Sequence, residues 1–418
     1  MKTIKIDNKP VLYNNKDVNR VCIDIIFPVK TDKESTPINE LLKRLMGGYS
    51  DKYRDNASFF NEMDSLYILK YGLNNYAFKE INYLNFSLVL PKDDIIDEYD
   101  LEKALRFFKD SIYNPCIDND HFDDKLFDLE KDYLLEREKR FPYDIDEYIG
   151  DKFWRLIDKK EELGLHHDNY VDYLNKTTSK DVYKYYMDNI YNNNYLVYIY
   201  GNLKDKNKYL EVFNKVFNRK ENTSSKKVSF YGFRKNYKYV HKEEVTKYNQ
   251  SVLCLSYTIK GMRESEVIIF DMLHYFLKSK ENALIFNELR TKNNLIYSCK
   301  IYQKRHYGFF NVFIYFNDID YKDIINYVNS SIKSLYDKNV FEECKERLVR
   351  SLKYDLLYKE DEPFDKVLSK REVKLFNGIL FEKRISIIEN TSYEEFIKFL
   401  DKVILTYSYL FTGGDNNA

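Results

Sequence analysis

"FNELRTKNNLIYS", residues 286–298, is the stretch that decides the fold, because an earlier stretch repeats its pattern. "FNEMDSLYILKYG", residues 60–72, also begins with Phe-Asn-Glu and an apolar residue, and it also places a tyrosine eleven positions after the phenylalanine. One position changes its charge, since Asp64 in the first copy is replaced by Arg290 in the second. The repeat predicts a duplicated unit whose two copies have different chemistry.

The order of predicted elements also repeats. In the first half, the strand "VCIDIIFPV" precedes two helices and the alternating strand "YLNFSLVL". In the second half, "SVLCLSYTI" precedes two helices and the strands "LIYSCKIYQ" and "GFFNVFIYF". Further helices follow in each half, including "PFDKVLSKREVKLF" in the second. Each half then ends in a helix and a strand, beginning "TSKDVYKYY" and "TSYEEFIKF".

These patterns predict an α+β chain of two tandem homologous domains. Each domain is expected to be a mostly antiparallel sheet with its helices packed on one face. The predicted boundaries are residues 1–217 for the N-terminal domain and 230–418 for the C-terminal domain, sizes that are ordinary for domains. The polar stretch "NRKENTSSKKVS", residues 218–229, is the predicted linker.

The composition excludes several classes of function. Lys+Arg and Asp+Glu are equal at 67 each, so no net field favours nucleic acid or an anionic membrane. No apolar run approaches the 18 or so residues of a membrane helix, and the N-terminus lacks the apolar region of a secretory signal. Five cysteines without a C-x-x-C pair favour reduced thiols and a cytoplasmic location.

Three segments resemble the insulinase/pitrilysin-type metallopeptidase family (inverzincins), which includes the mitochondrial processing peptidase. "FNELRTKNNLIYS" resembles the family's L-R-E-K-x-G-L-x-Y segment, "NPCIDNDHF" its N-P-x-F helix opening, and "GNLK" its domain ending. The chain departs from the pattern at Asn294, where the family has glycine. Asparagine tolerates the left-handed backbone better than most residues, so we expect the turn to be kept.

The resemblance also implies where a zinc site would lie. Active members carry His-x-x-Glu-His on the first helix, where two histidines on one helical face bind zinc and the glutamate activates its water. Here the helix reads "PINELLKRLMGG", with Asn39 and Lys43 in place of the histidines and Leu42 in place of the glutamate. Leu42 continues an apolar stripe and is predicted to be core. This chain is therefore expected to hold no metal and no other cofactor.

Other candidate ligands do not restore a metal site. Glu130 and Glu136 lie on the helix that supplies the third zinc ligand in the family, but one carboxylate cannot hold zinc alone. We expect both to lie on a solvated helix face. His166 and His167 are adjacent and point in different directions, so a loop role is expected for them.

The resemblance implies a role for Arg290 and Tyr297, which stand where the family has an arginine and a tyrosine seven residues apart. There the pair donates to the substrate carbonyl, on which negative charge develops during attack. A guanidinium suits this role because it stays charged. The ordinary alternative remains open, since an arginine near a helix C-terminus is favoured by the helix dipole and tyrosines are common in strands.

The leading hypothesis is a zinc-less, Arg/Tyr-bearing subunit of a bacterial-type heterodimeric metallopeptidase. It would be a pseudoenzyme alone and a peptidase only with a paralogous partner that carries His-x-x-Glu-His and the zinc. Leader peptides of modified bacteriocins are candidate substrates, although no residue of this sequence selects them. The alternatives are a catalytically inert scaffold or peptide-binding protein and, third, an autonomous hydrolase with an unrecognised site.

Overall fold

The computed structural model describes residues 2–15, 18–78, 81–92, 100–218, 223–278, 283–317, 319–361 and 378–414. The described residues form two compact units. The first takes its residues from 1–144 and 160–230, and the second from 145–159, 231–361 and 378–418. Each is a sheet with packed helices, so the prediction of a tandem α+β chain is confirmed. The predicted helix "PFDKVLSKREVKLF" lies outside the described residues.

The first unit is built on a five-stranded sheet in the order β2-β8-β3-β5-β4. Only β2 and β8 pair in parallel, and β4 is an edge strand. The strand β9 lies within the predicted linker and pairs with β1 in a small antiparallel sheet. Its side chains alternate between half-buried and exposed positions, as in a strand with one covered face. The strands are β1 (Lys2–Ile6), β2 (Pro10–Asn14), β3 (Arg20–Lys30), β4 (Lys70–Phe78), β5 (Ile81–Pro91), β6 (Ile117–Asp118), β7 (His121–Phe122), β8 (Leu196–Gly201) and β9 (Ser224–Val228).

The helices of the first unit bury their apolar stripes against this sheet. Leu41, Leu42 and Leu45 of the first helix are fully buried in one cluster with Phe27 of β3 and Phe86 of β5. This is the core that the helical spacing predicts. The helices are α1 (Ser35–Leu45), α2 (Asn56–Ser65), α3 (Leu101–Tyr113), α4 (Asp124–Glu138), α6 (His167–Lys176), α7 (Ser179–Tyr186) and α8 (Lys206–Phe217), with a π-helical turn at Met187–Tyr191.

A loop carboxylate fixes the approach to α1 and α6. Glu161 has a left-handed backbone, with φ of 56°. Its carboxylate accepts hydrogen bonds from Lys33 Nζ (2.7 Å), the backbone N of His166 (2.9 Å) and Asn169 Nδ2 (2.7 Å). Burial alone would raise the pKa of Glu161, but these donors stabilise the charged form and lower the pKa to about 2.

The second unit repeats the sheet in the order β10-β14-β11-β13-β12. Again one pair, β10 and β14, is parallel and the others are antiparallel. The edge strand is β12, the counterpart of β4. The strands are β10 (Val240–Thr246), β11 (Ser251–Ile259), β12 (Ile296–Lys304), β13 (Phe309–Phe316) and β14 (Val403–Gly413).

One helix of this unit comes from the first half of the sequence. This helix, α5, places Phe153 5.7 Å from Phe313 and Trp154 6.0 Å from Phe309, measured between ring centroids. Every residue of β13 is buried, so this sheet needs cover on both faces. The remaining helices pack on the opposite face. The helices are α5 (Ile145–Ile157), α9 (Val267–Leu277), α10 (Leu284–Phe286), α11 (Tyr321–Lys333), α12 (Lys338–Asp361), α13 (Phe381–Asn390) and α14 (Tyr393–Leu400), with a π-helical turn at Asn287–Lys292.

A matched contact in the two units supports the duplication. In the first, Lys131 Nζ of α4 donates to the carbonyl of Thr177 at 2.8 Å. In the second, Lys345 Nζ of α12 donates to the carbonyl of Thr391, also at 2.8 Å. Each threonine directly precedes the N-cap residue of the next helix, which is Thr178 for α7 and Ser392 for α14. An equivalent lysine therefore makes the same contact at the same helix junction in each copy.

Candidate functional site

The segment quoted at the outset forms a π-helical turn, a left-handed residue and the start of edge strand β12. Asn294 is the left-handed residue, with φ of 52°, as predicted from its place at the family's glycine. The backbone N of Leu295 donates to the carbonyl of Leu289 at 2.8 Å, and Leu289 is fully buried. An apolar anchor and a tight turn therefore hold the chain between helix and strand.

Arg290 lies on the outside of this turn and binds back onto it. Its Nη1 donates to Asn294 Oδ1 at 3.0 Å and to the carbonyl of Ile296 at 2.8 Å. The side chain is otherwise exposed. Among the described residues its Nε and Nη2 make no hydrogen bond, so the guanidinium keeps donors for a ligand while Nη1 fixes its position.

Tyr297 is placed by a bulge at the beginning of β12. Ile296 pairs with Phe316 and Ser298 with Tyr315 on β13, so Tyr297 is the extra residue between them. A bulge re-aims a side chain on an edge strand. Tyr297 is 58% exposed, and its hydroxyl accepts a hydrogen bond from Asn317 Nδ2 at 3.3 Å. The phenolic proton therefore stays available to donate.

The two side chains are neighbours because Arg290 holds the residue before Tyr297. The carbonyl oxygen of Ile296 is about 3 Å from the Cα of Tyr297 across a planar peptide. Arg290 Nη1 therefore lies within about 6 Å of that Cα, given its 2.8 Å bond to the same oxygen. Arg290 and Tyr297 therefore lie close together at the start of β12, and both side chains are exposed.

The first copy uses the same positions differently. Tyr71, the counterpart of Tyr297, is only 7% exposed and donates its hydroxyl proton to the carbonyl of Met46 at 2.8 Å. Its ring packs 5.3 Å from that of Phe59, and burial raises the pKa of Tyr71. Asp64 is exposed at the end of α2. The first copy thus has a core tyrosine and no cation.

The positions of the absent zinc motif do not form a ligand set. Leu42 is fully buried in the core, as predicted. Asn39 is also buried, whereas Lys43 is exposed. None of the three is a ligand that zinc prefers. Within the ranges described above, no group of three or more His, Cys, Asp or Glu side chains could hold a metal ion.

Glu130 departs from its prediction. It is only 6% exposed and forms an ion pair with Arg44 of α1, where a solvated position was expected. Tyr49 donates its hydroxyl proton to Glu130 at 3.2 Å, and the Arg44 guanidinium lies 3.7 Å from the ring centre of Tyr133. A buried carboxylate requires such a partner. Glu136 is exposed, as predicted.

The adjacent histidines begin a helix and do not converge on one ligand. His166 is the N-cap residue of α6. His167 stacks on Phe141 with ring centroids 3.6 Å apart, and its Nε2 is 3.4 Å from Glu138. Their contacts are thus structural. In the part of the chain that the structure describes, no helix is long and apolar enough to cross a membrane.

One constellation was not found from the sequence, because its members are far apart in the chain. His241 Nδ1 lies 2.6 Å from Ser408 Oγ, and its Nε2 lies 2.8 Å from Glu243 Oε1. This order resembles a hydrolase triad. Ser408, however, is fully buried and also contacts the Tyr239 hydroxyl at 2.7 Å. A substrate carbonyl cannot reach it, so these contacts join β10 to β14.

Comparison with a family model identifies part of the chain. Residues 176–352 match the peptidase M16 inactive domain. The match includes the Arg290 and Tyr297 segment and ends in α12. No curated protein matches the sequence.

Solved structures extend the likeness in fold to the whole chain. A conserved protein from Enterococcus faecalis V583 has a TM-score of 0.81 at 16% identity, with 100% of both chains covered. A peptidase M16 inactive domain from Pseudomonas fluorescens has a TM-score of 0.70 at 13% identity, covering 99% of this chain and 97% of that one. A chain of complex III2 from Candida albicans has a TM-score of 0.61 at 11% identity, covering 97% and 93%. These structures show the fold, and the family-model match over residues 176–352 confirms the predicted resemblance to the insulinase-type (M16) family.

Proposed function

We propose that this M16-like chain is the non-zinc-binding subunit of a heterodimeric metallopeptidase that processes peptides. The observation that carries the proposal is the pair formed by Arg290 and Tyr297, two exposed donors fixed on a tight turn and a bulge. Tyr297 is 58% exposed, and Nε and Nη2 of Arg290 make no hydrogen bond among the described residues, so both side chains keep donors for a ligand. The described residues of the first unit contain no zinc ligand set, so the proposal places the metal in a partner subunit.

The chain's own share of the reaction is to orient and polarise a peptide carbonyl. Arg290 supplies positive charge and Tyr297 a hydroxyl proton, and both are held before substrate arrives. Donors that are already in place stabilise a developing oxyanion without reorganisation. The bulge and the turn therefore both pre-organise the site, because the bulge limits the movement of Tyr297 and the turn limits that of Arg290.

Edge strand β12 offers a place for the peptide backbone. Among the strands that the structure describes it pairs with β13 alone, which leaves its outer row of N–H and C=O groups without a strand partner there. An extended peptide that adds to such an edge gains main-chain hydrogen bonds. The bulge then places Tyr297 at the start of the bound strand. This favours short or unfolded peptides, and leader peptides of modified bacteriocins are candidates.

The thiols support a reducing, cytoplasmic location. All five cysteines are buried as reduced thiols. Burial raises the pKa of Cys116 and Cys299 to about 12, which keeps both thiols protonated and unreactive. Buried thiols that need no oxidation are typical of a cytoplasmic protein.

A second candidate function is a non-catalytic scaffold that retained the fold. Two observations favour it: the likeness in fold to a chain of complex III2, and the hydrogen bonds of Arg290 to its own turn. A scaffold predicts no peptidase activity in any assembly.

The deciding experiment uses the pure chain and then the complex. The pure chain should contain no stoichiometric zinc by metal analysis and should cleave no member of a peptide library. Co-expression with a chain that carries His-x-x-Glu-His should give a co-purifying complex that holds zinc and cleaves peptides. Stoichiometric zinc in the pure chain, or a zinc-loaded complex without activity, would refute the proposal.

A further inference from the structure

A buried acid at the other end of β12 holds two arginines. Asp271 of α9 is 7% exposed. Its Oδ2 lies 3.1 Å from Arg305 Nη2 and accepts a hydrogen bond from Arg384 Nη2 at 3.0 Å. Its Oδ1 accepts a hydrogen bond from Gln303 Nε2 at 3.1 Å. We call these four residues the arginine cluster.

The arginine cluster has more donors than acceptors. Each guanidinium carries five N–H groups, yet each reaches Asp271 through Nη2 alone. The Nε atoms of Arg305 and Arg384 are buried, and among the described residues neither has a hydrogen-bond partner. Buried polar groups are normally satisfied, so two orphan donors in one cluster show spare hydrogen-bonding capacity, which a ligand can use when the partly exposed guanidinium groups turn towards it.

The charge balance points the same way. Two guanidinium groups share one carboxylate, so the cluster has one positive charge in excess. A second carboxylate, Glu264, lies near enough to interact electrostatically with Tyr231, as Arg305 and Asp271 do. Glu264 is exposed and, among the described residues, makes no hydrogen bond to either arginine. The side chains of Arg305 and Arg384 are 29% and 34% exposed, so a ligand can reach them. An oxyanion would supply both the missing charge and the missing acceptors.

The cluster lies in line with the proposed peptide path. Gln303 is on β12 and Arg305 follows directly, so both stand at the end of the edge strand opposite to Tyr297. At about 3.3 Å per residue, the eight steps from Tyr297 to Arg305 span about 26 Å. An extended peptide of eight to ten residues on β12 would therefore reach both sites.

We propose that Arg305 and Arg384 bind a carboxylate of an acidic peptide strand laid along β12. The proposal rests on the proposed function, because it takes peptide binding by this chain as given. It adds a substrate class: peptides with an acidic group about eight residues from the carbonyl that Arg290 and Tyr297 hold. Guanidinium groups suit this task because they match carboxylates in geometry and charge.

The test uses two amidated decapeptides of alternating Thr and Val that differ at one terminal residue, Glu or Gln. Each carries a fluorophore at the other end, and binding to the full chain without partner is followed by anisotropy. We expect the Glu peptide to bind about tenfold more tightly, as for one added charge-assisted hydrogen bond. Arg305→Gln and Arg384→Gln should each abolish the difference. The matched control is Arg350→Gln, an exposed arginine on α12 that should preserve it.

Each outcome decides the proposal. Equal affinity of the two peptides for the wild-type chain would overturn it, as would a difference that survives both substitutions. Inorganic phosphate is added as a competitor: if it binds in an arginine-dependent way while the peptides remain equal, the cluster takes small oxyanions and the peptide proposal fails. The proposed function is judged separately, by cleavage in the zinc-loaded complex.

Discussion

Arg44→Ala tests the ion pair that Arg44 forms with the buried Glu130 in the first unit. Arg44 is 31% exposed as a side chain, and its partner Glu130 is 8% exposed. Removing the guanidinium leaves the Glu130 carboxylate with the hydrogen bond from Tyr49 as its remaining one among the described residues. It also removes the contact with the Tyr133 ring at 3.7 Å.

The expected cost follows from the burial of the acid. Removing one partner of a buried pair costs about 3–5 kcal/mol, because the other charge stays buried. Since water already reaches a third of Arg44, we expect the lower end, about 3 kcal/mol. Glu130→Gln leaves a partly hydrated cation and should cost about 1–2 kcal/mol. The double variant has no unpaired charge, so it should cost about 2 kcal/mol, less than the sum of the single changes.

Urea unfolding of the full chain measures these values. Circular dichroism follows both units, whereas Trp154, the only tryptophan, reports the second unit through its contact with Phe309. Arg44→Ala should shift the dichroism transition and leave the Trp154 transition in place. Arg54→Ala, an exposed arginine of the same unit at 45% exposure, is the control and should cost under about 1 kcal/mol. A cost for Arg44→Ala equal to that of the control, or strict additivity in the double variant, would refute the reasoning.

Three further predictions concern the turn, the core and the loop carboxylate. Asn294→Ala should lower stability by about 1–2 kcal/mol in the Trp154 transition, whereas Asn294→Gly should stay near wild type, because only the alanine is strained at positive φ. In urea unfolding, Leu42→Ala should lower the free energy of unfolding by about 2–5 kcal/mol and Lys43→Ala by under about 0.5 kcal/mol. Equal losses for the two variants would contradict the placement of Leu42 in the core. Glu161 has a lowered pKa, so its stabilisation of about 3 kcal/mol is complete above about pH 4.5 and lost as the pH falls towards 2. Glu161→Gln should flatten the stability profile over that interval, and a profile identical to wild type would contradict this.

Local patterns predicted much of the fold. The alternating sequence of β5 and the apolar stripe of α1 depend on side-chain period, which the sequence displays directly. The burial of Leu42 follows from that stripe, whereas the left-handed turn at Asn294 was expected from its place at the family's glycine. These features are set within a few residues of the chain.

Long-range partners could not be predicted in the same way. Nothing local indicates that α5 covers the second sheet, since its apolar stripe fits either unit. Glu130 was expected to be solvated because α4 is highly charged, and its partner Arg44 is distant in sequence. The bulge at Tyr297 depends on the register with β13, and register is a property of two strands.

The central claim is that this chain lends Tyr297 and Arg290 to a partner's peptidase site. The most direct measurement is kcat for peptide cleavage by the zinc-loaded complex with Tyr297→Phe, compared with Tyr302→Phe on the same strand, where Tyr302 is 51% exposed. Both changes remove one exposed hydroxyl. We predict that Tyr297→Phe and Arg290→Ala each lower kcat by about 10²–10³-fold. The control variants, Tyr302→Phe for the tyrosine and Lys292→Ala for the arginine, should leave kcat unchanged. Equal rates for the Tyr297 and Tyr302 variants in a folded, zinc-loaded complex would contradict the account.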